Sequence, residues 1–152
     1  MSASNALSSF LPRDPDFENR IRKSFGLQTA MQTIGAVLES ISPGMVEIRL
    51  PYSSALTQQN GYLHAGIVTM IADSACGYAA YTLAPSESDI LTVEYKANFM
   101  APAQGETFVA TGRVLKAGKT LSVCQGEVLA HDAGHAPKAV VAMLTTMMIL
   151  RR

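Results

Sequence analysis

The chain has 152 residues, of which 48% are apolar and 16% charged, with 12 acidic and 12 basic side chains. That size points to one domain with ample core material, and the composition argues against global disorder. A formal net charge of zero argues against a nucleic-acid binder, which presents a basic excess on some face.

The opening stretch, MSASNALSSFLPRDPDFENR, lacks the charged start and long apolar run of a secretory signal. Residues 1–12 read as a flexible arm. Phe17, Ile21 and Phe25 then recur at helical spacing between Pro15 and Gly26, which predicts a short amphipathic helix. We divide the chain into an N-terminal arm with this helix, residues 1–26, and a main domain, residues 27–152. LQTAMQTIGAVLESI fits either helix or strand. SPG ends it, and MVEIRLP alternates apolar and polar residues, so the pair reads as a hairpin. YSSALTQQNGYL is a polar, turn-forming loop.

The most apolar segment follows, HAGIVTMIADSACGYAAYTLA, residues 64–84. Its small residues and central Asp73 mark a buried helix, about residues 65–83, rather than a membrane span. After the polar loop PSESD come four strand-like stretches, ILTVEYKANFM, TFVATGRVLK, LSVCQGEVLAH and AVVAMLTTMMIL, joined by short turns. Strands gathered beside one helix predict an α+β fold with an antiparallel sheet. A helix apolar on nearly every side must be enclosed by protein. Its own sheet covers part of it, and a second subunit is expected to cover the rest. The small residues Ser74, Ala75, Cys76, Gly77, Ala79 and Ala80 would let another backbone or a ligand come close. Cys76 and Cys124 form no CxxC, zinc or disulfide pattern, which fits a reducing, cytoplasmic setting. Cys76 reads as a small core residue with nothing to activate it.

QQNGYLHAGIVTMIAD, LTVEYKANFMAPAQGE and the hairpin GRVLKAGKTLSVCQGEV together resemble the hotdog-fold acyl-CoA thioesterases, of the phenylacetate-pathway and hydroxybenzoyl-CoA types. The most specific part is Gln58, then His64-Ala65-Gly66, then Asp73, nine residues after the histidine. The resemblance spans about residues 30–150. It implies an antiparallel sheet wrapped around one long helix, a homodimer often paired into a homotetramer, a site at the dimer interface, and no metal or redox cofactor. Ala65 stands where the family carries the first glycine after the histidine. Gly77 stands where hydroxybenzoyl-type enzymes carry a hydroxyl four residues after the acid. Thr92 matches the hydroxyl that phenylacetate-type relatives place at the start of the next strand.

Thioester hydrolysis needs a donor that polarises the carbonyl oxygen and a carboxylate or activated water that attacks the carbon. The start of the long helix offers the N–H groups of Ala65 and Gly66, with the helix dipole favouring negative charge. Asp73 offers the carboxylate, as nucleophile or general base, with a pKa raised by partial burial. Ala65 and Asp73 are eight residues apart, about 12 Å along a helix. A reacting carbonyl must lie about 3 Å from both donor and attacking group. The spacing therefore predicts a composite site in which Ala65 of one chain faces Asp73 of another. Gln58 would orient water or thioester, or is an ordinary loop residue, with Gln59 beside it leaving the register open. His64 would contact the substrate or pin the loop, or simply cap and pack the helix start. Thr92 is either the acid's helper or an ordinary strand residue. Arg113, Lys116 and Lys119 either solvate a hairpin or meet the CoA phosphates. Tyr62, Met70 and Phe99 line an acyl pocket or pack the core. His131 and His135 are assigned no role. Two other functions fit such a chain: an enoyl-thioester hydratase or dehydratase, although no Asp…Asn-Pro…His pattern is visible, and a non-catalytic acyl-CoA binding module.

Overall fold

The computed structural model describes residues 10–152. Residues 1–9 of the expected arm lie outside the described residues. Phe10 does not behave as part of an arm, because its ring packs on the core beside Gly44.

The elements run α1 (Phe17–Leu27), α2 (Thr29–Ile34), β1 (Val37–Ser42), β2 (Met45–Pro51), a single 3-10 turn (Ser54–Leu56), α3 (Ala65–Tyr81), β3 (Ser88–Phe99), β4 (Thr107–Ala117), β5 (Leu121–His131) and β6 (Lys138–Arg151). The stretch that fits helix or strand is both in turn. Gly35 takes a left-handed conformation (φ 77°) that ends α2 and releases the chain into β1. α3 stops at Tyr81, with Thr82 as its C-cap.

Six strands form one antiparallel sheet in the order β1-β2-β4-β5-β6-β3. α3 packs against strands β2 to β6. Its closest approach is to β4 and β5. A Cβ on Gly112 would collide with the Ala75 backbone, and one on Gly126 would lie 3.0 Å from Cys76 Sγ. Ala75 and Cys76 are therefore small so that this chain's own sheet can come close. Burial pushes both cysteine thiols up, Cys124 to about 12. No helix among the described residues is long and apolar enough to cross a membrane.

α1 is fastened to the far end of α3. Ile21 is fully buried beside Tyr81, Ala84 and Ile149. Arg20 pairs with Asp14 at 2.8 Å, lies 4.2 Å over the Tyr81 ring, and donates to the carbonyls of Tyr81 and Ala84. A cation bonded to the last carbonyls of a helix opposes the negative end of its dipole.

The sheet leaves one stripe of α3 open. Gly66, Met70, Asp73 and Gly77 are half-buried or exposed, while Val68, Thr69, Ile71, Ala72, Ser74, Ala75 and Cys76 on the other faces are buried. β3 is an edge strand, and Leu91, Val93, Tyr95 and Phe99 stand exposed along it.

Candidate active site

The loop before α3 is held at both ends. His64 N–H donates to the Leu56 carbonyl and Leu63 N–H to the Ala103 carbonyl, both near 3 Å. His64 is the N-cap of α3, and its Nδ1 accepts the Gly66 N–H at 2.9 Å. An accepting Nδ1 leaves the proton of the neutral ring on Nε2. This corrects one expectation: the Gly66 N–H is taken by the cap, as the second helical N–H commonly is. The Ala65 N–H makes no hydrogen bond among the described residues, at the positive end of the helix. Gln58 Oε1 accepts from the Asn60 N–H within its own turn. Gln58 lines the same cleft as Ala65, together with Tyr62 and Phe99. Gln59 is exposed and outside that cleft, which fixes Gln58 as the glutamine beside the helix start.

Asp73 lies two turns further along. Thr92 Oγ1 donates to Asp73 Oδ1 at 2.9 Å. The register of β3 and β6 shifts between Thr92 and Glu94, and a bulge beside a site re-aims the adjoining side chain. Burial raises the pKa of Asp73, and the Thr92 hydrogen bond pulls it part of the way back. Asp73, Thr92 and Gly77 share a cleft of about 400 Å³. A Cβ on Gly77 would meet only Met147 and Ile90 at about 4 Å. The protein has room for a side chain there and leaves it empty.

The two clefts have no residue in common. One holds Gln58 and Ala65, the other Asp73, Thr92 and Gly77. Arg113, Lys116 and Lys119 line neither. The register Thr92↔Met147↔Ser122 does place the β4–β5 hairpin at the Thr92 end of the sheet. Met70 packs against the core.

Three residues of the Asp73 cleft carry no signal in the sequence. Ser24 and Gln28, from the α1–α2 corner, and Tyr78 of α3 line it. Only the fold brings positions 24 and 28 to position 78.

Residues 60–135 match the family model described as the thioesterase superfamily. The chain belongs to the thioesterase superfamily. Its fold is the hotdog fold, and its reaction class is thioester hydrolysis. A crystal structure of a thioesterase family protein from Silicibacter pomeroyi is 45% identical, covering 90% of this chain and 99% of that one with a TM-score of 0.87. A Saccharolobus solfataricus protein named "Putative esterase" is 32% identical over 101 residues, 66% of this chain and 71% of that protein. The 1,4-dihydroxy-2-naphthoyl-CoA hydrolase of Listeria monocytogenes is 29% identical over 98 residues, 64% of this chain and 77% of that protein.

Proposed function

We propose that this thioesterase hydrolyses acyl-CoA to the free acid and CoA at a composite site shared by two copies of the chain. The observation that carries the proposal is the separation of the Ala65 N–H and the Asp73 carboxylate into different clefts. About 12 Å of helix lies between them, too far for one carbonyl to meet both. Two α3 helices laid antiparallel through their open stripes bring Ala65 of each copy to Asp73 of the other. The exposed apolar side chains of edge strand β3 support such pairing, since an unprotected edge is a template for another strand.

In this site the Ala65 N–H donates to the thioester oxygen as negative charge grows there, aided by the α3 dipole. Asp73 either removes a proton from an attacking water or attacks the carbonyl carbon itself. In both routes the C–S bond breaks and water is split between the products, its hydroxyl completing the acid and its other proton completing the CoA thiol; in the second route the water acts by hydrolysing the anhydride that links Asp73 to the acyl group. Thr92 holds one carboxylate oxygen and leaves the other free to act. Gln58 orients the water or the thioester. His64 fixes the helix start, and Lys116 and Lys119 meet the CoA phosphates.

The Listeria hydrolase acts on a CoA thioester by name, which supports CoA as the carrier here. The test is a screen of varied acyl-CoA esters with free-thiol detection. Release of CoA by the native chain, lost in Asp73→Asn, is the expected result. Equal release by both proteins would remove Asp73 from the mechanism.

A further inference from the structure

Behind the Asp73–Thr92 pair stands a sulfur atom. Thr92 Oγ1 lies 2.9 Å from Asp73 Oδ1 and 3.5 Å from Met147 Sδ, placed to donate to either. The hydroxyl has one proton, so it serves one acceptor at a time. A thioether sulfur accepts weakly and has no proton of its own to give. While Asp73 is ionised, the carboxylate therefore holds the Thr92 proton.

The fold fixes Met147 in this place. Thr92 and Met147 are direct partners in the β3–β6 ladder, beside the bulge between Thr92 and Glu94. Met147 is fully buried in the core. Its Cε would lie 3.9 Å from a Cβ on Gly77, so the side chain reaches from β6 to α3 behind both Thr92 and Gly77. Leucine matches methionine in volume, and β-branched residues are the commoner choice in a strand. What methionine adds here is an acceptor.

That acceptor matters when Asp73 changes state. As a general base Asp73 gains a proton, and as a nucleophile it becomes part of an anhydride. Either form accepts a hydrogen bond more weakly than the carboxylate, because the charge assistance is gone. Thr92 is exposed on the single chain, where water can serve its hydroxyl. An acyl group seated in the cleft that Asp73 and Thr92 line shuts that water out, and a hydroxyl left without a partner costs free energy. Met147 Sδ is then already within reach.

We infer that Met147 is a positioning residue for the reaction: its sulfur takes the Thr92 hydroxyl while Asp73 is neutral or acylated, and gives it up when the carboxylate returns. The inference rests on the reading of Asp73 as base or nucleophile. No atom is transferred, and only the direction of one O–H turns. Met147 is not among the residues that line the cleft, so it acts through Thr92.

The test is a double-variant cycle of Met147→Leu and Thr92→Val, assayed with whichever acyl-CoA ester the native chain hydrolyses fastest. The pH dependence of kcat reports on the enzyme with substrate bound. The sulfur favours neutral Asp73, so its loss should move the acid limb of kcat to lower pH by about half a unit. Loss of the hydroxyl does the reverse, since its bond to the carboxylate favours the charged form. Met147→Leu should also lower the plateau of kcat about threefold, the worth of one weak hydrogen bond, with KM unchanged. In the Thr92→Val background it should do neither. Met147→Ile repeats the test should the leucine variant fold poorly. A limb that stays in place or moves upward, or an equal change with and without the Thr92 hydroxyl, overturns the assignment and leaves the thioesterase reading intact. The Asp73 carboxyl is also titrated by carbon NMR in the complex with phenacyl-CoA, a thioether that cannot be hydrolysed. A titration that Met147→Leu moves downward only when Thr92 is present, in a protein that hydrolyses no thioester, upholds the exchange and overturns the catalytic reading.

Discussion

Thr92 Oγ1 donates a 2.9 Å hydrogen bond to Asp73 Oδ1, joining the edge strand of the sheet to the open stripe of the central helix. The bond steadies a carboxylate that burial would otherwise drive toward its neutral form.

Asp73→Asn should lower kcat/KM for acyl-CoA by about 10²–10⁴ and raise stability at neutral pH. The fold raises the Asp73 pKa above its ordinary 3.8, so the native state binds the proton more readily than the unfolded chain. Stability linked to this group is therefore greatest below the unfolded pKa and declines as pH rises through the folded one. The gap between Asn variant and native chain should close as pH falls, which denaturant titration at several pH values measures. Activity needs the carboxylate, so the acid limb of kcat/KM should fall above pH 3.8.

Thr92→Val should move that acid limb to higher pH, because the hydrogen bond that lowers the Asp73 pKa is gone. Activity at neutral pH should drop about tenfold, the value of roughly one charge-assisted hydrogen bond. A pH–rate profile that keeps its limb in place would show that Thr92 does not act through Asp73.

Two glycines should respond oppositely to alanine. Gly77→Ala has space and better helix propensity, so stability should rise by up to about 1 kcal/mol, while bulky acyl groups lose activity as the Asp73 cleft fills. Gly112→Ala drives a methyl into the Ala75 backbone and should cost about 3 kcal/mol or more. Thermal melts and an acyl-chain series separate the two effects.

Lys116→Glu with Lys119→Glu should raise KM for acyl-CoA by about tenfold at low ionic strength and much less in high salt, since exposed charges are screened. Steady-state kinetics across a salt series provides the check. A KM indifferent to both changes would place the CoA phosphates elsewhere.

What could be read from the sequence follows from local pattern. The alternation in β2 to β6 and the apolar run of α3 gave their elements because each pattern repeats within its own segment. The eight-residue gap between Ala65 and Asp73 is likewise local, so their separation in space was legible before any coordinates. The α1–α2 corner was not. Gln28 meets Ser74 and Tyr78 across 46 and 50 positions, and no periodicity encodes such a contact. The cap on α3 was legible from the position of His64 at the helix start. Ser, Thr, Asp and Asn are the usual N-caps, and His64 performs that task here with a ring nitrogen.

Gln58 shares the cleft of Ala65, so a site shared by two copies joins Gln58 and Ala65 of one to Asp73 of the other. Asp73→Asn and Gln58→Ala, each nearly inactive alone, can be unfolded together in equal amounts and refolded. In a two-fold dimer, half the molecules are then mixed, and each mixed dimer has one intact site of two. About a quarter of native activity should return. Activity no greater than the average of the two separate variants, with mixed dimers shown to be present, would contradict the shared site.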